Sequence, residues 1–171
     1  RPEQEESKKK EKIEFCPFVE LSDGRLCEIC FDGEEPFFLV FDPTLEHIER
    51  LNEVKDGGTI YRPLNTPEVG RIIVLPSGAE EYGSDTELFN EICEFLARYH
   101  YSPNEWEKKL DSLYVMLTWI YDALPIVPYR KMTGPKGSGK TTWLRVMGSV
   151  VYRGLFISGA SSEASLLRLI D

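Results

Sequence analysis

"TGPKGSGKTTWLRVMGSVVY", residues 133–152, decides how the carboxy-terminal part of this chain is read. A glycine-rich run ends in Gly-Lys-Thr and passes at once into helical spacing. Within it, Gly134-Pro135-Lys136-Gly137-Ser138-Gly139-Lys140-Thr141 satisfies G-x-x-x-x-G-K-[ST], the Walker A pattern. Gly134, Gly137 and Gly139 allow backbone angles that a β-carbon blocks and let the chain approach an oxyanion closely. Loop amides and the free N–H groups at the start of the next helix then converge on a β-phosphate. Lys140, the candidate catalytic residue, places its ammonium between the β- and γ-phosphates. Thr141 offers its hydroxyl to Mg²⁺, and Thr142 adds a contact on the α-phosphate side. With glycine at about 7% of residues, the four fixed positions arise by chance in roughly one chain of this length in a couple of hundred. A strand before the loop and a helix after it are the context the motif needs. The sequence predicts both.

Working outward, the 171 residues are 42% hydrophobic, enough for one sizeable core or two small ones. The chain begins at Arg1 with a charged stretch, which reads as a fragment or a processed product and carries no signal-peptide pattern. The densest apolar stretch, Leu113 to Leu124, is shorter than a membrane span and contains Asp122. The expected compartment is the cytoplasm, with no membrane partner. Net charge is −9. Residues 1–100 hold 11 Lys+Arg against 23 Asp+Glu, or −12, while residues 101–171 hold 9 against 6, or +3. A polyanion therefore suits the carboxy-terminal part only.

Along the chain, residues 1–12 read as a charged disordered tail. Residues 13–75 read as a small β-rich (α+β) domain. Strand-like runs "IEFCPFVEL", "RLCEICF" and "PFFLVF" are punctuated by Asp-Gly turns, which predicts an antiparallel meander. A short helix is expected in "DPTLEHIERLNEV", capped by Asp42, with Leu45, Ile48 and Leu51 on one face. Further strands are expected near 59–62 and 71–75. Residues 76–124 read as a helical segment with two capping boxes, Ser84 with Glu87 and Ser102 with Glu105. In the second helix Trp106, Leu110, Leu113, Leu117 and Ile120 form the expected packing face. Residues 125–171 then read as the α/β start of a parallel-sheet P-loop NTPase core: a strand at 129–133, the glycine loop, a helix to about 151, the strand "LFISG" and a helix from Ser162. Arg130 and Lys131 are unusual in a central parallel strand.

Cys27 and Cys30 form a Cys-x-x-Cys pair to which Cys16 and His47 could add zinc ligands. The pair lies on a predicted strand, where residues three apart face opposite sides. Two buried thiols is the expected reading. His100 receives no functional role. After Thr141 the only acidic residues are Glu163 and Asp171, so the acidic pair that hydrolysis requires, and an arginine finger, are expected beyond this chain.

The stretch from "EEYGSDTELFNEICEFLARY" through "YDALPIVPYRKMTGPKGSGKTTWLRVMGSVVYRGLFISGASSEASLLRLID" resembles a group of prokaryotic and mobile-element P-loop ATPases, similar to the AAA+-like helicase modules that accompany primases and plasmid or phage replication proteins. The pieces that carry the likeness are the Tyr-Asp…Pro-Tyr lead-in, the Walker A loop, Tyr152-Arg153, the run 155–158 and Ser158-Gly159-Ala160-Ser161. The resemblance implies binding of ATP and Mg²⁺ at Lys140 and Thr141, a single- or double-stranded DNA partner, a hexamer-type ring and ATP hydrolysis by the complete protein. The residues themselves leave two alternatives open: a nucleotide or small-molecule kinase, and an ATP-dependent switch whose acidic amino-terminal part binds a protein.

Overall fold

The structure is a computed structural model that describes residues 11–67, 69–102 and 104–157. Two units divide the chain: residues up to Val69 with Pro76–Ala79, and Gly70–Leu75 with the residues from Glu80 on.

The first unit is β throughout. Pro17 has no N–H to give a ladder, and the run "IEFCPFVEL" breaks there into β1 (Lys12–Cys16) and β2 (Phe18–Glu20). β2, β3 (Leu26–Phe31), β4 (Pro36–Asp42) and β5 (His47–Leu51) form an antiparallel sheet in that order. Its first two hairpins turn at Gly24 and Gly33, both at positive φ. β1 leaves this sheet and pairs in parallel with β7 (Thr59–Pro63), which pairs antiparallel with β6 (Val54–Asp56). A meander over 13–42 therefore holds only from β2 onward. Leu21, Cys27, Phe38, Val40 and Val54 form the core, with Val19, Leu51 and Tyr61 packed against it.

The helix expected in "DPTLEHIERLNEV" does not form. Asp42 does cap, accepting from the N–H groups of Thr44 (2.8 Å) and Leu45 (3.2 Å), but the chain then turns at Glu46 with φ +50°. Residues 47–51 add to the β4 edge instead, with Phe41 opposite Ile48. A helix of that length is marginal alone, and a waiting ladder of backbone groups outweighs its propensity. Leu45 and Ile48, two members of the expected face, stay exposed.

The second unit is built on helices. α1 (Asp85–Tyr99) carries the Ser84–Glu87 capping box, with the Glu87 N–H donating to Ser84 Oγ and the Ser84 N–H to Glu87 Oε2. The bonds from Ser84 hold the Glu87 carboxyl below its usual range. α2 (Glu105–Thr118) is capped by Asn104, whose side chain accepts from Trp106 N at 3.0 Å. Ser102 instead donates to Glu107, so the second capping box is not made, and Pro103 lies outside the described residues. A 3₁₀ turn (Tyr121–Ala123) follows, and α3 spans Lys140–Gly148. Leu96, Val115, Trp143 and Met147 are the buried centre of this unit.

Two expectations fail here. Trp106, Leu110, Leu113 and Ile120 are exposed, and α2 buries Asp111, Ser112 and Val115. The inward face is chosen by Asp111, which carries the polar contacts described below. The expected parallel α/β core is also overturned: the sheets present are a mixed three-stranded and an antiparallel four-stranded one, both in the first unit. Among the described residues no strand runs through 129–133, because Arg130 turns to an acidic partner instead of lying in a sheet. Among the described residues of "LFISG" and 71–75, only Leu155 and Ile73 pair, in one antiparallel bridge, beside a bond from Val74 N–H to Gly154 O (2.8 Å). Of the tail expected over 1–12, Lys12 already opens β1 and residues 1–10 lie outside the described residues, as do the Ser158–Ser161 passage, Glu163 and the helix expected from Ser162.

Phe38 is fully buried, so Phe38→Ala is expected to cost about 3–5 kcal/mol in urea unfolding; a cost below about 1 kcal/mol contradicts its place in the core. Burial pushes the Cys27 and Cys30 thiols up to about 11, leaving both protonated near neutrality. Both should resist an aromatic disulfide reagent at pH 8 in the native protein and react once urea unfolds it.

Candidate functional site

The loop over 134–139 is shaped by three glycines, each needed for a stated reason. A β-carbon at Gly134 would stand 2.7 Å from Ser138 Oγ, and Gly137 and Gly139 both sit at φ +83°, in the left-handed region. Ser138 N–H closes the turn onto Pro135 O at 3.3 Å. Gly139 is the N-cap of α3, and the first bond of that helix runs from Trp143 N–H to Gly139 O at 2.9 Å. The N–H groups of Lys140, Thr141 and Thr142 are therefore those of a first turn, without intrahelical acceptors. That turn carries no acidic side chain to occupy them.

Lys140 folds its ammonium back over the loop. Nζ donates to Pro135 O (2.6 Å), Gly134 O (2.8 Å) and Ser138 Oγ (3.3 Å). The structure thus brings Gly134, Pro135, Ser138 and Lys140 into direct contact, with Gly137 and Gly139 as the pivots. Lys136, Thr141 and Thr142 lie exposed around them. An ammonium at the centre of a turn, beside the N-terminus of a helix, places fixed and partial positive charge together. Such an arrangement favours an anion over a cation.

What holds α3 in place is Asp111 of α2. This carboxylate is buried and accepts at Oδ2 from the Trp143 indole N–H (2.8 Å) and at Oδ1 from Arg130 Nε (2.7 Å) and its terminal nitrogen (2.5 Å). One residue thereby joins α2, the segment entering the loop and the helix leaving it. His100, at the end of α1, places ring atoms 3.9 Å from where a β-carbon at position 139 would stand. Neither contact was legible in the sequence. Asp111 stands beside the apolar stripe of α2 with no spacing that marks it, and His100 is the first residue past a helix.

Cys27 and Cys30 are buried in β3, with Cys27 opposite Val40 and Cys30 opposite Phe37. Among the described residues no three His, Cys, Asp or Glu side chains gather in a way that could hold a metal ion. No helix among them is long and apolar enough to cross a membrane. In comparisons with known proteins, no family model, no curated protein and no solved structure matches the chain.

Removing the Asp111 carboxylate leaves a half-buried guanidinium and a buried indole N–H without their acceptor. Asp111→Ala is expected to destabilise by about 3 kcal/mol or more. Asp111→Asn, which keeps an oxygen for Trp143, should cost clearly less. Urea unfolding followed by tryptophan fluorescence separates the two, and equal small costs contradict the anchoring role.

Proposed function

We propose that this chain binds a nucleoside triphosphate with Mg²⁺ through residues 134–142, as part of an ATP-driven protein that acts on DNA. The observation that carries this reading is the Lys140 ammonium, seated on Gly134 O and Pro135 O inside a turn that two left-handed glycines aim at a helix N-terminus. The reading stands on the chemistry of this loop and draws nothing from a parallel sheet. In it, Lys140 exchanges its two carbonyl partners and Ser138 for phosphate oxygens, a trade of neutral for charged acceptors. The amides of the first turn of α3 hold the bridging phosphate, and Thr142 reaches its α side. Thr141 offers its hydroxyl to the metal. Magnesium, when bound, offsets the charge of the β- and γ-oxygens.

The DNA part of the reading is supported by the sequence resemblance and by the +3 balance of residues 101–171. Adenine as the base and turnover by the complete protein come from the same resemblance. Glu163 and Asp171 do not follow hydrophobic strands in the sequence, so the reading assigns nucleotide binding, not hydrolysis, to the residues at hand.

Lys140→Ala is expected to weaken Mg·ATP at least about tenfold, the scale of a lost charged hydrogen bond, with an unchanged melting temperature because the side chain serves no core. Thr141→Ala should weaken ATP chiefly in the presence of Mg²⁺ and little in its absence. Isothermal titration measures both. Mg·ATP binding equal to wild type in Lys140→Ala removes the reading.

A further inference from the structure

Beyond the far end of α3 from the loop, the chain builds an open cleft of about 480 Å³ lined by Thr118, Tyr121, Val127, Tyr152 and Arg153. Three aromatic rings meet there. Trp119 packs edge-on against Tyr152 with centroids 5.3 Å apart, and Tyr121 stands 5.8 Å from Tyr152 at 33°. The Arg153 guanidinium lies 4.7 Å from the Tyr152 ring centre. Tyr121 and Trp119 keep 48% and 47% of their surface exposed, so these rings are not simply core.

The cluster is held rigidly. Thr118 Oγ1 donates to Val115 O (2.7 Å) and accepts from Tyr152 N–H (3.0 Å), and Trp119 Nε1 donates to Val150 O (3.0 Å). Arg153 adopts φ +47°, a strained angle for a side-chain-bearing residue. The chain is pinned just after it: a β-carbon at Gly154 would stand 2.0 Å from Gly148 O at the end of α3. Trp119 and Tyr121, both with exposed surface, beside a planar cation form a surface on which a flat aromatic ligand stacks.

We infer that this cleft binds a nucleobase of a single-stranded nucleic acid, stacked on the exposed Tyr121 ring beside Tyr152, with Arg153 at the adjoining phosphate. Charge favours a polyanion: residues 101–157 hold eight Lys and Arg against four Asp and Glu. Position favours a strand over the nucleotide of the loop. α3 separates the two places by its nine residues, about 13 Å of axis, so the loop and the cleft are distinct sites. The inference deepens the nucleic-acid part of the proposed function and is independent of the phosphate loop.

The test is fluorescence anisotropy of a labelled deoxythymidine oligonucleotide with the full chain, without nucleotide. Tyr121→Ala should weaken binding about tenfold, while Tyr121→Phe, which keeps the ring, stays within about twofold. An abasic strand of equal length should bind wild type about tenfold more weakly and be indifferent to Tyr121→Ala. Arg153→Asn, a residue that tolerates positive φ, should lower affinity and reduce the salt slope by about 0.7. Quenching of tryptophan emission on binding should vanish in Trp119→Phe. Lys140→Ala should bind the strand as wild type does, which separates this site from the loop. The inference is overturned if wild type binds no strand, if the abasic strand binds equally well, or if Tyr121→Ala is without effect. It is likewise overturned if Tyr121→Ala weakens Mg·ATP as much as the strand, which assigns the cleft to the nucleotide's own base.

Discussion

One buried carboxylate sets the geometry of the helical unit. Asp111 faces inward from α2 because its two oxygens are claimed by Arg130 and by the Trp143 indole. A carboxylate stripped of water needs such partners, and the helix accepts a large exposed apolar stripe to provide them. The rotation that seats Asp111 turns Trp106, Leu110 and Leu113 outward. It also buries Ser112, whose hydroxyl bonds to Lys108 O (3.1 Å) within α2. Trp143 lies three residues after Lys140 on α3, so the same contact fixes the helix whose first turn completes the phosphate loop. The entering segment is fixed through Arg130. The loop is thereby clamped on both sides by one side chain.

The glycine loop was the most legible part of this chain because its geometry is local. Positive φ at Gly137 and Gly139, and the lack of room for a β-carbon at Gly134, are demands that three or four neighbouring residues impose on each other. The Ser84–Glu87 box was legible for the same reason. Two apolar stripes misled, because groups outside the stripe decide where it goes. The stripe at 45, 48 and 51 fits a helix, but β4 offered an edge. The 106–120 stripe fits a packing face, but it lacks the inward pull that Arg130 and Trp143 exert on Asp111. Arg130 and Lys131 in the presumed strand were a correct warning. Arg130 pairs through its side chain with Asp111 rather than lying in a ladder.

α3 connects two kinds of chemistry. Its amino-terminal end presents amides and a lysine, suited to phosphate oxygens. Past its carboxy-terminal end, aromatic rings and an arginine suit a planar base. Between them Trp143 and Met147 anchor the helix in the core with Leu96 and Val115.

The central claim is that the loop over 134–142 is a phosphate cradle. The most direct measurement is amide-resolved NMR of the chain titrated with inorganic pyrophosphate, with and without Mg²⁺. Saturable shifts are expected, concentrated at Gly137, Gly139, Lys140, Thr141 and Thr142. The β-sheet unit should stay unmoved. Shifts that leave these five amides in place while others move, or no saturable change at all, would contradict it.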